Sequence, residues 1–155
     1  MGYTGRMRDS SWSTATSATL HCLTGCAIGE VLGMIISTAA GWSTAPSIAI
    51  SIALAFLFGY ALTSLPLLRA GLALSAVIPL ALAADTISIT VMEIVDNLFL
   101  LAVPGAMDAG LSEALFWWSL AVALAVAFVV TVPINRALIS RGKGHAVVHE
   151  HHHAH

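Results

Sequence analysis

Residues 21–30 read HCLTGCAIGE: a histidine, two cysteines and a glutamate at the head of an apolar run that continues to Gly41. Whether this stretch enters a membrane decides the fold, and composition answers first. Of 155 residues, 58% are hydrophobic and 9% are charged, whereas a soluble domain carries about 25% charged residues. So few charges cannot cover a water-soluble globule of this size, and the chain reads as an integral membrane protein. A net charge of −2 supplies no basic face for nucleic acid. Two cysteines on one apolar segment make no disulfide framework.

One processing signal competes for the same residues. LTGC, Leu23 to Cys26, looks like the cleavage box of a bacterial lipoprotein. The preceding SSWSTATSATLHC is largely polar, however, and the apolar run follows the box and is too long for a signal h-region. The N-terminal segment is therefore expected to persist as a helix.

Working outward, four apolar segments emerge: Ala18 to Gly41, Pro46 to Leu68, Ala70 to Val103, and Leu111 to Leu138. The breaks GWSTAP, LLRAG and PGAMDAG carry turn chemistry. Ser43 or Thr44 is expected to cap the second helix, with Pro46 in its first turn, where a missing N–H costs little. Links this short force antiparallel neighbours. The expected fold is all-α, an up-down bundle of four transmembrane helices over residues 18–138. Residues 1–17 form an N-terminal cytoplasmic segment in this reading, and 139–155 a flexible histidine-rich tail.

Every basic residue falls at one end of such a bundle: Arg6, Arg8, Arg69, Arg136, Arg141 and Lys143. The positive-inside rule makes that end cytoplasmic, with both termini inside. Trp42, Trp117 and Trp118 then sit near the outer interface, as an aromatic belt requires. The third segment is anomalous, because 34 residues would extend about 51 Å against a hydrocarbon core of about 30 Å. It must tilt, protrude or break, and Pro79 marks the expected kink.

Four acids lie inside the spans: Glu30, Asp85, Glu93 and Asp96. A central acid costs about 2.5–3.5 kcal/mol on insertion scales, so these residues should face the bundle and mark a functional site. Cys22, Cys26, Glu30 and Met34 recur every four residues and form one stripe. Beside it run His21, Gly25, Gly29 and Gly33, two overlapping GxxxG units that invite close helix packing. In the third helix Asp85, Ser88, Met92 and Asp96 share a face, with Glu93 beside it and Asn97 next along. The spacing pairs Glu30 with Glu93 and His21 with Asp85, while Asn135 and Arg136 can meet the lower pair.

This lining mixes soft and hard donors. Thiolate and thioether suit Cu(I), thiolate suits zinc, and imidazole suits copper and zinc. His21, Cys22, Cys26, Met34 and Met92 are therefore candidate metal ligands. Glu30, Asp85, Glu93, Asp96, Asn97 and Arg136 are candidates for transport or proton relay. Each has a bland alternative, since buried Cys fills small gaps and Met fills irregular ones. The tail adds His145, His149, His151, His152, His153 and His155. Its interruption by Ala, Val and Glu argues against a purification-tag remnant, and its composition suggests metal binding.

Taken together, HCLTGCAIGE, VMEIVDN and NRALISRGKGH resemble an uncharacterised bacterial multi-pass membrane family known only as a domain of unknown function. Members of that family are sometimes placed alongside copper-oxidase-type proteins. The resemblance covers the four helices and implies a polytopic membrane protein with a loose link to copper, and no catalytic roles. The expected function is metal-ion handling at the inner membrane, as a transporter or permease-like component for copper or a similar transition metal. Two alternatives stand beside it: a non-transporting accessory of a membrane redox or metalloenzyme complex, and a proton-coupled carrier of another small solute. No nucleophile–base pair or organic-cofactor motif points to an enzyme. Four helices enclose little interior, which makes a homo-oligomer or a larger complex a natural partner state.

Overall fold

A computed structural model describes residues 2–140, with side chains described from 12 to 138. Among these residues four α-helices follow one another: α1 (Gly2–Ala40), α2 (Thr44–Arg69), α3 (Leu74–Ala102) and α4 (Ala114–Ser140). Each contains a stretch long and apolar enough to cross a bilayer, namely Trp12–Ala40, Thr44–Arg69, Leu74–Ala102 and Ala114–Leu138. The protein is thus an all-α, four-helix membrane bundle, as its composition requires. The helices close a ring in which each packs on its sequence neighbours and α4 returns to α1, while α1 and α3 touch across the diagonal. The outer surface is apolar: Leu57, Leu65, Ile78, Ile94, Leu98 and Val129 are all exposed. In lipid this is the stable arrangement, with polar side chains turned to the interior.

The turns follow glycine chemistry. Gly41 and Gly71 adopt φ of 68° and 93°, and Trp42 and Leu72 donate back to the carbonyls of Ser37 and Leu67 at 2.9 and 3.2 Å. Both are Schellman closures, which need a left-handed residue that only glycine supplies without strain. Ser43 is the N-cap of α2, but through its backbone alone, since its side chain makes no capping bond.

Two boundaries differ from the sequence reading. α1 begins at Gly2 rather than near Ala18, and Ala15 and Ala18 are already buried against the bundle. The serines and threonines before Ala18 therefore cost little, because Ser and Thr can return their hydroxyls to the preceding turn, as Thr19 does to Ala15 O at 2.6 Å. α3 is shorter than expected: the turn ending at Ala73 removes four residues, and 29 residues extend about 44 Å. The helix runs on through Pro79, which is exposed.

The tightest contact is α1 on α2. Gly25 lies against Gly59, Gly29 against Ala55 and Gly33 against Ser51, so close that a Cβ on Gly25 would stand 2.7 Å from Gly59 N. α2 answers the glycine row with its own row of small side chains, Ser51, Ala55, Gly59 and Thr63, all buried. Two such rows let the backbones meet, which is how helices associate when lipid gives no hydrophobic incentive.

Candidate functional site

Pressing α1 against α2 turns the neighbouring face of α1 into the centre of the ring. Cys22, Cys26 and Glu30 are buried there, opposite the buried row Asp85, Ser88, Met92, Glu93 and Asp96 of α3. The shared lining expected from the four-residue spacing is present. The Cys22 thiol donates to Asp85 Oδ1 at 3.6 Å. One turn further, the Cys26 thiol approaches Met92 Sδ at 4.0 Å, with the Glu93 carboxyl beside it. Above that level the Glu30 carboxyl lies beside those of Asp96 and Glu93. Asn97 donates to the Glu93 backbone carbonyl at 2.8 Å and leans on its carboxyl at 3.4 Å.

The register is close to the expected one but shifted. Glu30 meets Asp96 as well as Glu93, and Asp85 is held by Cys22 and by Thr63 of α2 rather than by His21. His21 does not line the seam: it is exposed, and its ring Nδ1 lies 3.0 Å from Ser17 O. The reason is geometric. His21 belongs to the glycine row, and a row of every fourth residue turns by about 40° per step, which carries its lower end out of the α2 contact. It remains within electrostatic reach of Asp85.

Arg136 does not join the acids either. Its guanidinium stacks over the Trp12 ring at 4.4 Å, a cation–π contact near the terminal end of the bundle. Asn135 is the inward residue of that pair. It accepts a short hydrogen bond from Ser88 and donates to Thr19 Oγ1 at 2.8 Å. This chain ties α3, α4 and α1 together, and all three side chains are fully buried.

The opposite end is open. A vestibule of about 350 Å³ lies between the α1–α2 turn and the α3–α4 connection, bordered by Trp42, Ser43, Asp108 and Glu113. It shares Met34, Ser37, Thr44, Ser47 and Met107 with an inner cavity of about 40 Å³ that reaches Glu30, Ser51 and Asn97. Met34 thus borders the entrance rather than the cysteine cluster, and its sulfur accepts from Thr38 at 3.5 Å. These hydroxyl-bearing walls were not singled out in the sequence, although Ser47, Ser51, Ala55, Gly59 and Thr63 repeat at helical spacing and could have been.

Glu30 Oε1, Glu93 Oε1 and both Asp96 oxygens are buried without a hydrogen-bond donor among the described residues. Carboxylates so placed in a low-dielectric interior must either carry protons or attend a cation. Among the described residues, no three His, Cys, Asp or Glu side chains are grouped closely enough to hold one metal ion. The five proposed soft donors therefore do not converge. They are strung along the seam, with His21 off it. His145, His149, His151, His152, His153 and His155 lie outside the described residues.

No curated protein and no solved structure matches this chain. Residues 11–144, which take in all four spans, match one described family. The chain belongs to the family described as Domain of unknown function (DUF4396).

Proposed function

We propose that the protein passes a soft transition-metal ion, Cu(I) the best fit, across the membrane along the seam between α1 and α3. The observation that carries this reading is the Cys26–Met92 sulfur pair, 4.0 Å apart and buried inside the seam, flanked by Glu93. Thiolate and thioether together favour Cu(I) over hard ions. With metal–sulfur bonds of about 2.3 Å, two sulfurs at this separation subtend roughly 120° at a shared ion, which leaves a third position open. Met34 and Met107 at the inner cavity and Cys22 one turn beyond Cys26 extend the sulfur row on both sides. A strung-out row suits passing an ion along better than storing it.

In this reading the end carrying the termini and Arg69 is cytoplasmic, because the basic residues gather there. The protein then crosses the inner membrane four times, takes the ion from or releases it to the vestibule side, and uses its histidine tail as a cytoplasmic collector. Zinc is the second candidate ion. A homo-oligomer or a larger membrane complex is compatible with the exposed apolar faces.

The test is Cu(I) binding and flux by full-length protein in proteoliposomes, with the six tail histidines changed to alanine. Binding that survives this change and falls sharply in Cys26→Ser and in Met92→Leu supports the reading. Binding without flux in every form favours the accessory alternative. Proton-driven movement of some other solute, indifferent to both sulfur variants, favours the carrier alternative.

A further inference from the structure

We propose that Glu30 and Asp96 form a proton-binding pair that exchanges with the vestibule side of the membrane alone. The role of this pair as a coupling site rests on the transport reading above, whereas the site itself rests on geometry. Asp96 is 1% exposed and Glu30 8% exposed. Their side chains face one another across the α1–α3 diagonal, with the Glu93 carboxyl, on which Asn97 leans, as the neighbouring titratable group. Neither oxygen of Asp96, nor Oε1 of Glu30, receives a donor from the described residues. Two carboxyl groups side by side have only acceptor atoms until one is protonated. A proton carried by either group is the one element that turns the contact into a hydrogen bond and removes the cost of two adjacent buried charges.

Glu30 is also where the inner cavity ends. Eleven residues separate it from Gly41 at the mouth, about 16 Å along α1, or half the thickness of a hydrocarbon core of about 30 Å. The cavity of about 40 Å³ accommodates one or a few water molecules. Ser37, Ser47 and Ser51 border the way in. Their hydroxyls give such waters partners, so the route has the chemistry of a proton half-channel.

The size and donor set select the ligand. A hard divalent cation such as Ca²⁺ takes six to eight oxygens. The pair itself offers four carboxyl oxygens, and although Glu93 is a neighbour, no three His, Cys, Asp or Glu side chains among the described residues are grouped closely enough to hold one metal ion. A soft ion would seek the sulfurs deeper in the seam. A proton needs only the two carboxyls. On the far side, the hydrogen-bonded, fully buried Thr19–Asn135–Ser88 chain lies between the acids and the terminal end. Exchange is therefore one-sided.

Two measurements on the full-length protein, reconstituted and free of metal, test this. In a Glu93→Gln background, which removes the neighbouring carboxyl, infrared spectroscopy should show a protonated-carboxyl carbonyl band that disappears on adding Glu30→Gln or Asp96→Asn and persists on adding Asp85→Asn. A membrane-impermeant thiol reagent should label Ser47→Cys from the vestibule side only, with the wild type, whose two cysteines are buried, as the unlabelled control. Glu30→Asp, which keeps the carboxyl, should retain the band and guards against loss through misfolding. A band absent from the Glu93→Gln protein, a band retained there after both Glu30→Gln and Asp96→Asn, or labelling of Ser47→Cys from the terminal side would each overturn the proposal. Loss of Cu(I) flux in Cys26→Ser would not bear on it, so the two readings fail separately.

Discussion

Replacing Gly29 with alanine adds one methyl group, and the structure specifies where it goes. The new Cβ would stand 2.6 Å from Ala55 Cα, with the Ala55 amide nitrogen nearer still and Leu54 C at 2.9 Å. Non-bonded carbons prefer about 3.5–4.0 Å, so α2 must retreat by roughly 1 Å. A gap of that size forfeits a quarter to a half of each dispersion contact it opens, and the same retreat loosens Gly25 on Gly59 and Gly33 on Ser51. Overpacking of this kind costs about 1–3 kcal/mol. The obstacle is backbone, so Ala55→Gly should fail to rescue Gly29→Ala. Gly59→Ala gives the contrast, because its Cβ meets only the Ile89 side chain, with Cγ1 at 3.3 Å. That tip can move, so the loss should be about 1 kcal/mol or less, and Ile89→Val should relieve it. Gly41→Ala separates strain from packing: its φ is 68° with nothing within 4 Å, and the left-handed penalty alone is about 1–2 kcal/mol. Thermal unfolding in detergent ranks the variants. Gly29→Ala as stable as wild type, or fully rescued by Ala55→Gly, would refute the close-packing argument.

Other expectations follow from the seam. Asn135→Ala leaves Ser88 without its acceptor and Thr19 without its donor. Polar contacts between membrane helices are worth about 0.6 kcal/mol on average and up to about 1.7, so detergent unfolding should register a loss near the upper figure. No loss would mean the chain does not tie the helices together. His21→Ala should leave Cu(I) affinity unchanged, because the ring lies outside the seam, and a fall comparable to that of Cys26→Ser would return His21 to the ligand set. For orientation, Asp108→Cys should be labelled by an impermeant reagent from outside intact cells. Labelling only after permeabilisation would reverse the assignment of the cytoplasmic end.

Much of this architecture is legible in the chain because the bilayer leaves few options. Four apolar segments, short glycine-bearing links and acids at helical spacing compel a bundle whose third and first helices share a polar lining. The GxxxG rows of α1 announced a close partner, though only the complementary small residues of α2 identify it. Depth was harder. Counting residues between acids placed His21 opposite Asp85, but that count ignores how a row rotates about its helix, and Cys22 holds the position instead. The start of α1 was missed for a related reason: serines and threonines read as polar segment, yet within a helix their hydroxyls are satisfied by the preceding turn. The vestibule depends on how the α3–α4 connection folds over the ends of the helices. That connection includes a short 3-10 turn at Ala106–Asp108, which no spacing rule predicts.

Passage of a soft ion through the sulfur pair in the seam gives the protein its proposed function. Its most direct test is Cu(I) uptake into proteoliposomes by protein whose tail histidines are alanine, compared with the same protein bearing Cys26→Ser. Serine keeps the approximate size of the side chain but removes the soft donor, so uptake should occur in the first and be lost in the second. Equal uptake by both proteins, or none by either, would contradict the account.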